Sequence, residues 1–259
     1  MKKKNVLKSM GHHEAKHTIT EKGVVEQFCD TFQASSVPLP QRLQNFPRHV
    51  RRQDIARFLT KYEIFQLALP VHGNIVECGV FAGGGLMSWL HFSSILEPFN
   101  HTRRIVGFDT FAGFPGVHAK DTKGGTSDHL HKDAFKISGT MKDEIAGLAA
   151  IHDCNRPLGH IPKVELVDGD ACETIPTYVK NHPSLLISLL YLDFDIYAPT
   201  KSALEHLYPR IVKGGIVAFD ELNCPEFPGE TVALVEALDL KQIELKRTVM
   251  DPHISYFIK

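Results

Sequence analysis

The chain has 259 residues, 43% of them hydrophobic and 23% charged, with a formal net charge of −1 at pH 7. That composition gives a globular protein with room for one large α/β domain or two small ones. A near-neutral balance argues against a general nucleic-acid or membrane-surface binder. The longest apolar run, around Leu185 to Leu192, is too short to span a bilayer.

Residues 1–50 are polar and weakly periodic, and read as a mobile extension that could cover an active site. His12, His13 and His17 could bind a metal there, but a solvated terminus is the commoner state of such a segment. Met1-Lys2-Lys3-Lys4 is basic, yet no apolar stretch follows it, so no signal peptide is expected. The cysteines (Cys29, Cys78, Cys154, Cys172, Cys224) are scattered, odd in number and form no C-x-x-C pair. Neither a zinc site nor a disulfide framework is indicated, and a reducing cytoplasm fits best.

A second segment, residues 51–259, reads as one domain. Ile55, Phe58, Leu59, Tyr62, Ile64, Phe65 and Leu69 recur near helical spacing, so residues 51–69 are predicted to be helical, stopped by Pro70 and Gly73. Five short apolar runs then follow, each ending in an acid at Glu77, Asp109, Asp168, Asp193 and Asp220. Such runs read as parallel strands buried on both faces. Parallel strands carry their C-terminal ends on one edge, where ligands of open α/β sheets bind, so five carboxylates are expected along one rim. Helices are predicted near 86–96, 140–152, 174–181 and 200–208. The stretch Thr110 to Pro162 is long and polar, and reads as a lid or substrate insertion. Residues 242–248 and 253–258 flank Met250-Asp251-Pro252 as an antiparallel hairpin. The fold class expected is α/β: a mostly parallel seven-stranded sheet with a C-terminal antiparallel hairpin and a helical N-terminal extension. Its element order resembles that of the class I methyltransferases that use S-adenosylmethionine.

The first glycine loop runs Glu77-Cys78-Gly79-Val80-Phe81-Ala82-Gly83-Gly84-Gly85. It lacks G-x-G-x-x-G, and its leading carboxylate would repel a pyrophosphate but suits a cationic amino-acid group. Glu77, Gly79, Phe81, Gly83 and Gly84 are therefore candidate cofactor contacts. Asp109 has the two oxygens that match a ribose cis-diol. Asp170 could reach an adenine edge or cap the next helix. Arg51 and Arg52 could hold a ligand carboxylate, although exposed helix arginines are commoner. Asp193 with Asp195, and Asp220 with Glu221, end two strands expected to be neighbours. Carboxylates crowded in this way require a cation or a shared proton, and their hard oxygens suit Mg²⁺. Trp89 reads as core, and His118, His129 and His131 as loop histidines of which one could be a base. Tyr197 and Lys201 match a Tyr-x-x-x-Lys spacing, which keeps a nicotinamide-dependent sugar oxidoreductase or epimerase as an alternative.

Glu77–Gly84, the Phe108-Asp109-Thr110-Phe111-Ala112-Gly113-Phe114-Pro115 run, Leu192–Thr200, Leu207-Tyr208-Pro209 and Gly214–Asp220 together resemble the macrocin O-methyltransferase family over roughly residues 50–240. The resemblance implies S-adenosylmethionine contacts at the Glu77 loop and Asp109. It further implies Mg²⁺ at Asp193, Asp220 and Glu221, Asp193 as catalytic base, and self-association. Two positions depart from the family pattern: Phe194 stands where glycine is frequent, and Glu221 where aspartate is frequent. The stretch Asp220–Pro225 with Pro228-Gly229-Glu230 resembles a branch acting on deoxysugars in natural products or surface glycans. The function expected is O-methylation of a sugar hydroxyl, free as a nucleotide sugar or within a glycoside. Methylation of a phenol or catechol and a non-catalytic binding module are the other readings.

Overall fold

A computed structural model describes residues 23–137 and 139–259. His12, His13 and His17 lie outside them. The described chain divides into two compact units, one ending at Leu59 and one running Thr60–Lys259. The first holds helices α1 (Val24–Ala34) and α2 (Leu39–Gln44) and the opening turns of α3 (Arg52–Ala68). Inside it the Arg42 guanidinium lies 5.0 Å from the Phe32 ring centroid and donates to the Phe32 carbonyl at 2.6 Å.

The second unit is built on seven strands: β1 (Asn74–Cys78), β2 (Ile105–Asp109), β3 (Val164–Asp168), β4 (Ile187–Leu192), β5 (Ile211–Phe219), β6 (Lys246–Arg247) and β7 (Ser255–Ile258). They form one sheet in the order β3-β2-β1-β4-β5-β7-β6. β1 to β5 pair in parallel, while β7 runs antiparallel to β5 and to β6. This is the α/β sheet expected of a class I methyltransferase. The terminal hairpin is shorter than its sequence suggested.

Side chains alternate across the sheet. Val76, Cys78, Val106, Phe108, Leu190, Leu192, Val217 and Phe219 form the core of one face with Ala171 and Ile175 of α7 (Ala171–Asn181), Ala203 and Leu204 of α8 (Tyr197–His206), and Ala233 and Leu234 of α9 (Gly229–Ala237). On the other face Ile64 and Phe65 of α3 meet Trp89 and Phe92 of α4 (Gly84–Leu96), with Phe65 and Phe92 5.8 Å apart. Trp89 is core, as its position predicted.

The 110–162 stretch carries α6 (Met141–Cys154) near its predicted place, plus a four-residue helix, α5 (Ala119–Thr122), that periodicity cannot register. α9 was not anticipated either. The run Thr231–Leu238 is apolar enough for helix or strand, and docking on the sheet decided it.

Candidate active site

The order β3-β2-β1-β4-β5 reverses direction between β1 and β4, so a cleft opens at their C-terminal ends. Gly79 makes that edge possible. Its φ is +92°, and a Cβ there would lie 1.9 Å from the Asp193 carbonyl oxygen. The Asp193 amide donates to the Cys78 carbonyl at 2.8 Å, closing the two strand ends together. Gly83, with φ +84°, is the N-cap of α4 and packs under Ile145 of α6. A Cβ on Gly84 would meet no heavy atom within 4 Å, so the N-terminus of α4 faces open space. Phe81, held at φ +50° and 43% exposed, meets Phe135 edge-on at 6.2 Å.

The acids are distributed less evenly than a single rim. Glu77 lies one residue inside β1, 1% exposed, with Oε1 3.6 Å from Lys61 Nζ. It stands beneath the rim, because burial on both sheet faces continues to the last residue of that strand. Burial pushes its carboxyl up to about 7, against the opposing pull of Lys61. Asp109 accepts the amides of Val80 and Phe81 on Oδ2, at 2.7 and 2.8 Å, and that of Phe111 on Oδ1 at 2.7 Å. Of roughly four acceptor positions on a carboxylate, three are thus committed to backbone. Its first role is to tie the end of β2 to the glycine loop. Asp168 pairs with Lys142 at 3.1 Å. Asp170 is the N-cap of α7, accepting from the Cys172 amide at 2.9 Å. Arg51, in the first unit, is bound through Nε and Nη2 to Asp54, at 3.0 and 2.7 Å.

The acids after β4 and β5 do converge. Asp195, Asp220 and Glu221 are buried, and Asp193 is half-buried. The Tyr191 hydroxyl donates to Asp220 Oδ1. Glu230, in the first turn of α9 and 0% exposed, spans both loops. Its Oε1 accepts the Phe194 amide at 3.1 Å and the Asp195 amide at 3.4 Å, and its Oε2 accepts the Glu221 amide at 3.4 Å. Burial and then the charges of Asp195, Asp220 and Glu221 hold the Glu230 carboxyl well above the usual carboxylate range. Three backbone amides on its two oxygens offset part of the cost of placing this carboxyl among the other acids.

The insertion after β2 crosses to the far side of this cleft. The Thr126 and Ser127 amides donate to the carbonyls of Pro225 and Glu226, each at 3.3 Å, beyond β5. Asp121, fully buried, accepts the amides of His118 and Tyr197, both at 2.7 Å, and so fastens α5 to the start of α8. Phe135 gathers His129 at 4.9 Å, Phe114 at 5.3 Å and Phe227 at 6.1 Å. The insertion is thereby fastened to the segments that follow β4 and β5.

The profile of the macrocin O-methyltransferases (TylF) matches residues 63–228, which cover β1 to β5 and the acids from Glu77 to Glu221, with Glu230 just beyond its end. The chain belongs to the macrocin O-methyltransferase family. Among its relatives, the tetracenomycin 4'-O-methyltransferase of Streptomyces olivaceus, which acts on an 8-demethyl-8-(2,3-dimethoxy-alpha-L-rhamnosyl) precursor by its name, is 29% identical over 60% of this chain and 55% of its own length. Mycinamicin III 3''-O-methyltransferase of Micromonospora griseorubida is 26% identical over 60% of this chain and 57% of its own. The chain thus aligns with little more than half the length of these curated relatives. A crystal structure of CalS11, a calicheamicin methyltransferase, superposes with a TM-score of 0.90 and 32% identity, over 97% of this chain and 96% of that one. An apo structure of CalS11, titled a TDP-rhamnose 3'-O-methyltransferase, gives 0.81 and 30% over 97% and 98%.

In this macrocin-family chain the Tyr197–Lys201 pair of the oxidoreductase alternative does not form. The Tyr197 hydroxyl bonds Lys120 at 2.9 Å and Glu236 at 2.7 Å, while Lys201 lies 3.7 Å from Glu205. Glu230 was not among the site residues expected from sequence. Pro228-Gly229-Glu230 has the look of a helix start, but nothing local tells that the carboxyl turns away from its own helix. We expect Glu230→Ala to strip the Phe194, Asp195 and Glu221 amides of their acceptor, each a loss of about 1–3 kcal/mol if left unpaired. Thermal unfolding should show a fall in Tm of more than about 5 °C. An unchanged Tm would mean that water replaces the carboxyl.

Proposed function

We propose that this chain is an S-adenosylmethionine-dependent O-methyltransferase acting on a sugar hydroxyl, with a nucleotide-linked deoxysugar or a glycoside as acceptor. The observation that carries this reading is the pairing of a glycine-opened helix N-terminus with converging carboxylates across one cleft. Family membership and the likeness to CalS11 support it. The cofactor fits the residues present: open space at Gly84, the exposed Phe81 ring and the carboxylates of Glu77 and Asp109 lie at the β1 and β2 ends. In this reading Gly79, Gly83 and Gly84 let the ligand approach the backbone, with Asp170 at the adenine side. When bound, the cofactor supplies a methyl group activated on a sulfonium.

Asp193 is the proposed base that takes the proton of the acceptor hydroxyl. Glu230 and Tyr191 hold the loops around it in place. The insertion, with Phe114, His129 and Phe135, is the proposed cover for the acceptor, excluding water from the cleft. Mg²⁺, implied by the family resemblance, finds Asp193, Asp220 and Glu221 on adjoining loops. Among the described residues, however, no group of three His, Cys, Asp or Glu side chains is placed to hold an ion. No step is derived through a metal ion. No helix among the described residues is long and apolar enough to cross a membrane.

The test is calorimetric titration of S-adenosylhomocysteine, with NAD⁺ as control, repeated in EDTA, followed by methyl transfer to TDP-rhamnose and related nucleotide sugars. Micromolar binding, changed by less than about twofold in EDTA, is expected, since the acids the resemblance assigns to Mg²⁺, Asp193, Asp220 and Glu221, follow β4 and β5 and not the glycine loop. Absence of binding, or preference for NAD⁺, would sink the reading. Turnover lost in EDTA with binding intact would show that the acceptor draws the acids around an ion.

A further inference from the structure

Lys61 occupies the buried stripe of α3, whose inward residues are Thr60, Lys61, Ile64, Phe65 and Ala68. An apolar residue is the ordinary occupant of such a stripe. Burying a charge is unfavourable, and well-packed hydrophobic residues often serve stability as well as an interior ion pair does. The fold alone therefore does not account for this lysine.

Its surroundings do. Lys61 is 3% exposed, and Nζ sits 3.5 Å from the centroid of the Tyr191 ring and 5.2 Å from that of Trp89. Both rings present their negative faces to the ammonium. Tyr191 cannot drift, because its hydroxyl is hydrogen-bonded to Asp220. Held on this aromatic seat, Nζ reaches Glu77 Oε1 at 3.6 Å. Tyr191 and Glu77 are direct partners across β4 and β1, so their side chains share one face of the sheet. Glu77 Oε1 also lies so close under the first turn of α4 that a Cβ on Gly85 would come within 1.9 Å of it. Its other oxygen, Oε2, is buried and makes no hydrogen bond of ordinary geometry among the described residues, although the Trp89 indole N–H is near enough to favour the charged carboxylate.

We propose that Lys61 is a positioning residue for cofactor binding: seated on Tyr191, its ammonium fixes the Glu77 carboxylate beneath the glycine loop with one oxygen left to a cationic ligand group. This rests on the reading that the Glu77 loop takes S-adenosylmethionine. Lys61 itself touches neither cofactor nor acceptor. It acts through Glu77, so the two should behave as one unit.

A double-mutant cycle tests this. Lys61→Met, Glu77→Gln and the double variant are compared with the natural chain in thermal unfolding and in S-adenosylhomocysteine calorimetry. Lys61→Met, folded, is expected to bind about tenfold more weakly, and the double variant no more weakly than Glu77→Gln alone. A lysine that merely stabilises the fold would move Tm and leave affinity unchanged. Binding by folded Lys61→Met within about twofold of the natural chain, or losses that multiply in the double variant, would overturn the proposal. Should Lys61→Met not fold, the charge-balanced double variant is read against Glu77→Gln, and any further loss of about tenfold overturns it equally. If the natural chain binds no S-adenosylhomocysteine, it is the cofactor reading that has failed, and this inference falls with it.

Discussion

Asp193→Asn should leave S-adenosylhomocysteine binding intact and lower turnover by about 10²–10⁴-fold, the usual contribution of a positioned general base. Asp193 is the first residue beyond β4, and its amide is tied to the Cys78 carbonyl at 2.8 Å. Its backbone is therefore set by the same contact that closes the glycine loop, and the asparagine variant keeps that contact. What it loses is the ability to take a proton at neutral pH. The neighbouring acids are poor substitutes. Asp220 is committed to the Tyr191 hydroxyl and is 2% exposed, and Glu221 is 1% exposed. The measurement is single-turnover methyl transfer beside calorimetry on the same preparation. A variant turning over within about threefold of the natural chain would move the base to another group.

Gly79→Ala should be the most damaging single methyl group in the described chain. At φ +92° an alanine is already strained, and its Cβ would lie 1.9 Å from the Asp193 carbonyl oxygen, which is backbone and cannot rotate away. Either β1 and β4 separate at their ends or the loop that follows is displaced. A loss of about 3–5 kcal/mol is expected, within the range of severe single substitutions, with a Tm lower by about 10 °C. S-adenosylhomocysteine binding should disappear even at temperatures where the variant is folded, because the loop carrying Phe81, Gly83 and Gly84 starts from this residue. Gly84→Ala is the control. Its Cβ would enter open space, so its Tm should change little while binding weakens. Equal effects of the two on Tm would contradict the close approach at Gly79.

The two substitutions probe different kinds of legibility. The glycine loop, the succession of five strands and an acid at or near the end of each were readable from sequence, because burial on both faces forces continuous apolar runs and a run can only stop where the chain meets solvent or a turn. Helix α3 was readable for the same reason, although its inward face is Thr60, Lys61, Ile64, Phe65 and Ala68, whereas Leu59 remains 39% exposed. The spacing did not single out Lys61, which the structure places on that stripe. Its role was not visible either, since Tyr191 lies 130 residues away in the chain.

By itself, then, the sequence determined the α/β class, the position of the cleft at the strand ends, the family and the pair Asp193 and Asp220 as neighbours, all of which follow from local periodicity and short motifs. Only the tertiary structure decided what each polar side chain does. It put Glu77 under the rim against Lys61, turned Asp109 onto the backbone of the glycine loop, and brought Glu230 from an unanticipated helix to span two acidic loops. The physical reason is that periodicity records which way a residue faces within its own element. A buried charge must instead find its partner in whichever element docks beside it, and that is fixed by the packing of the whole sheet.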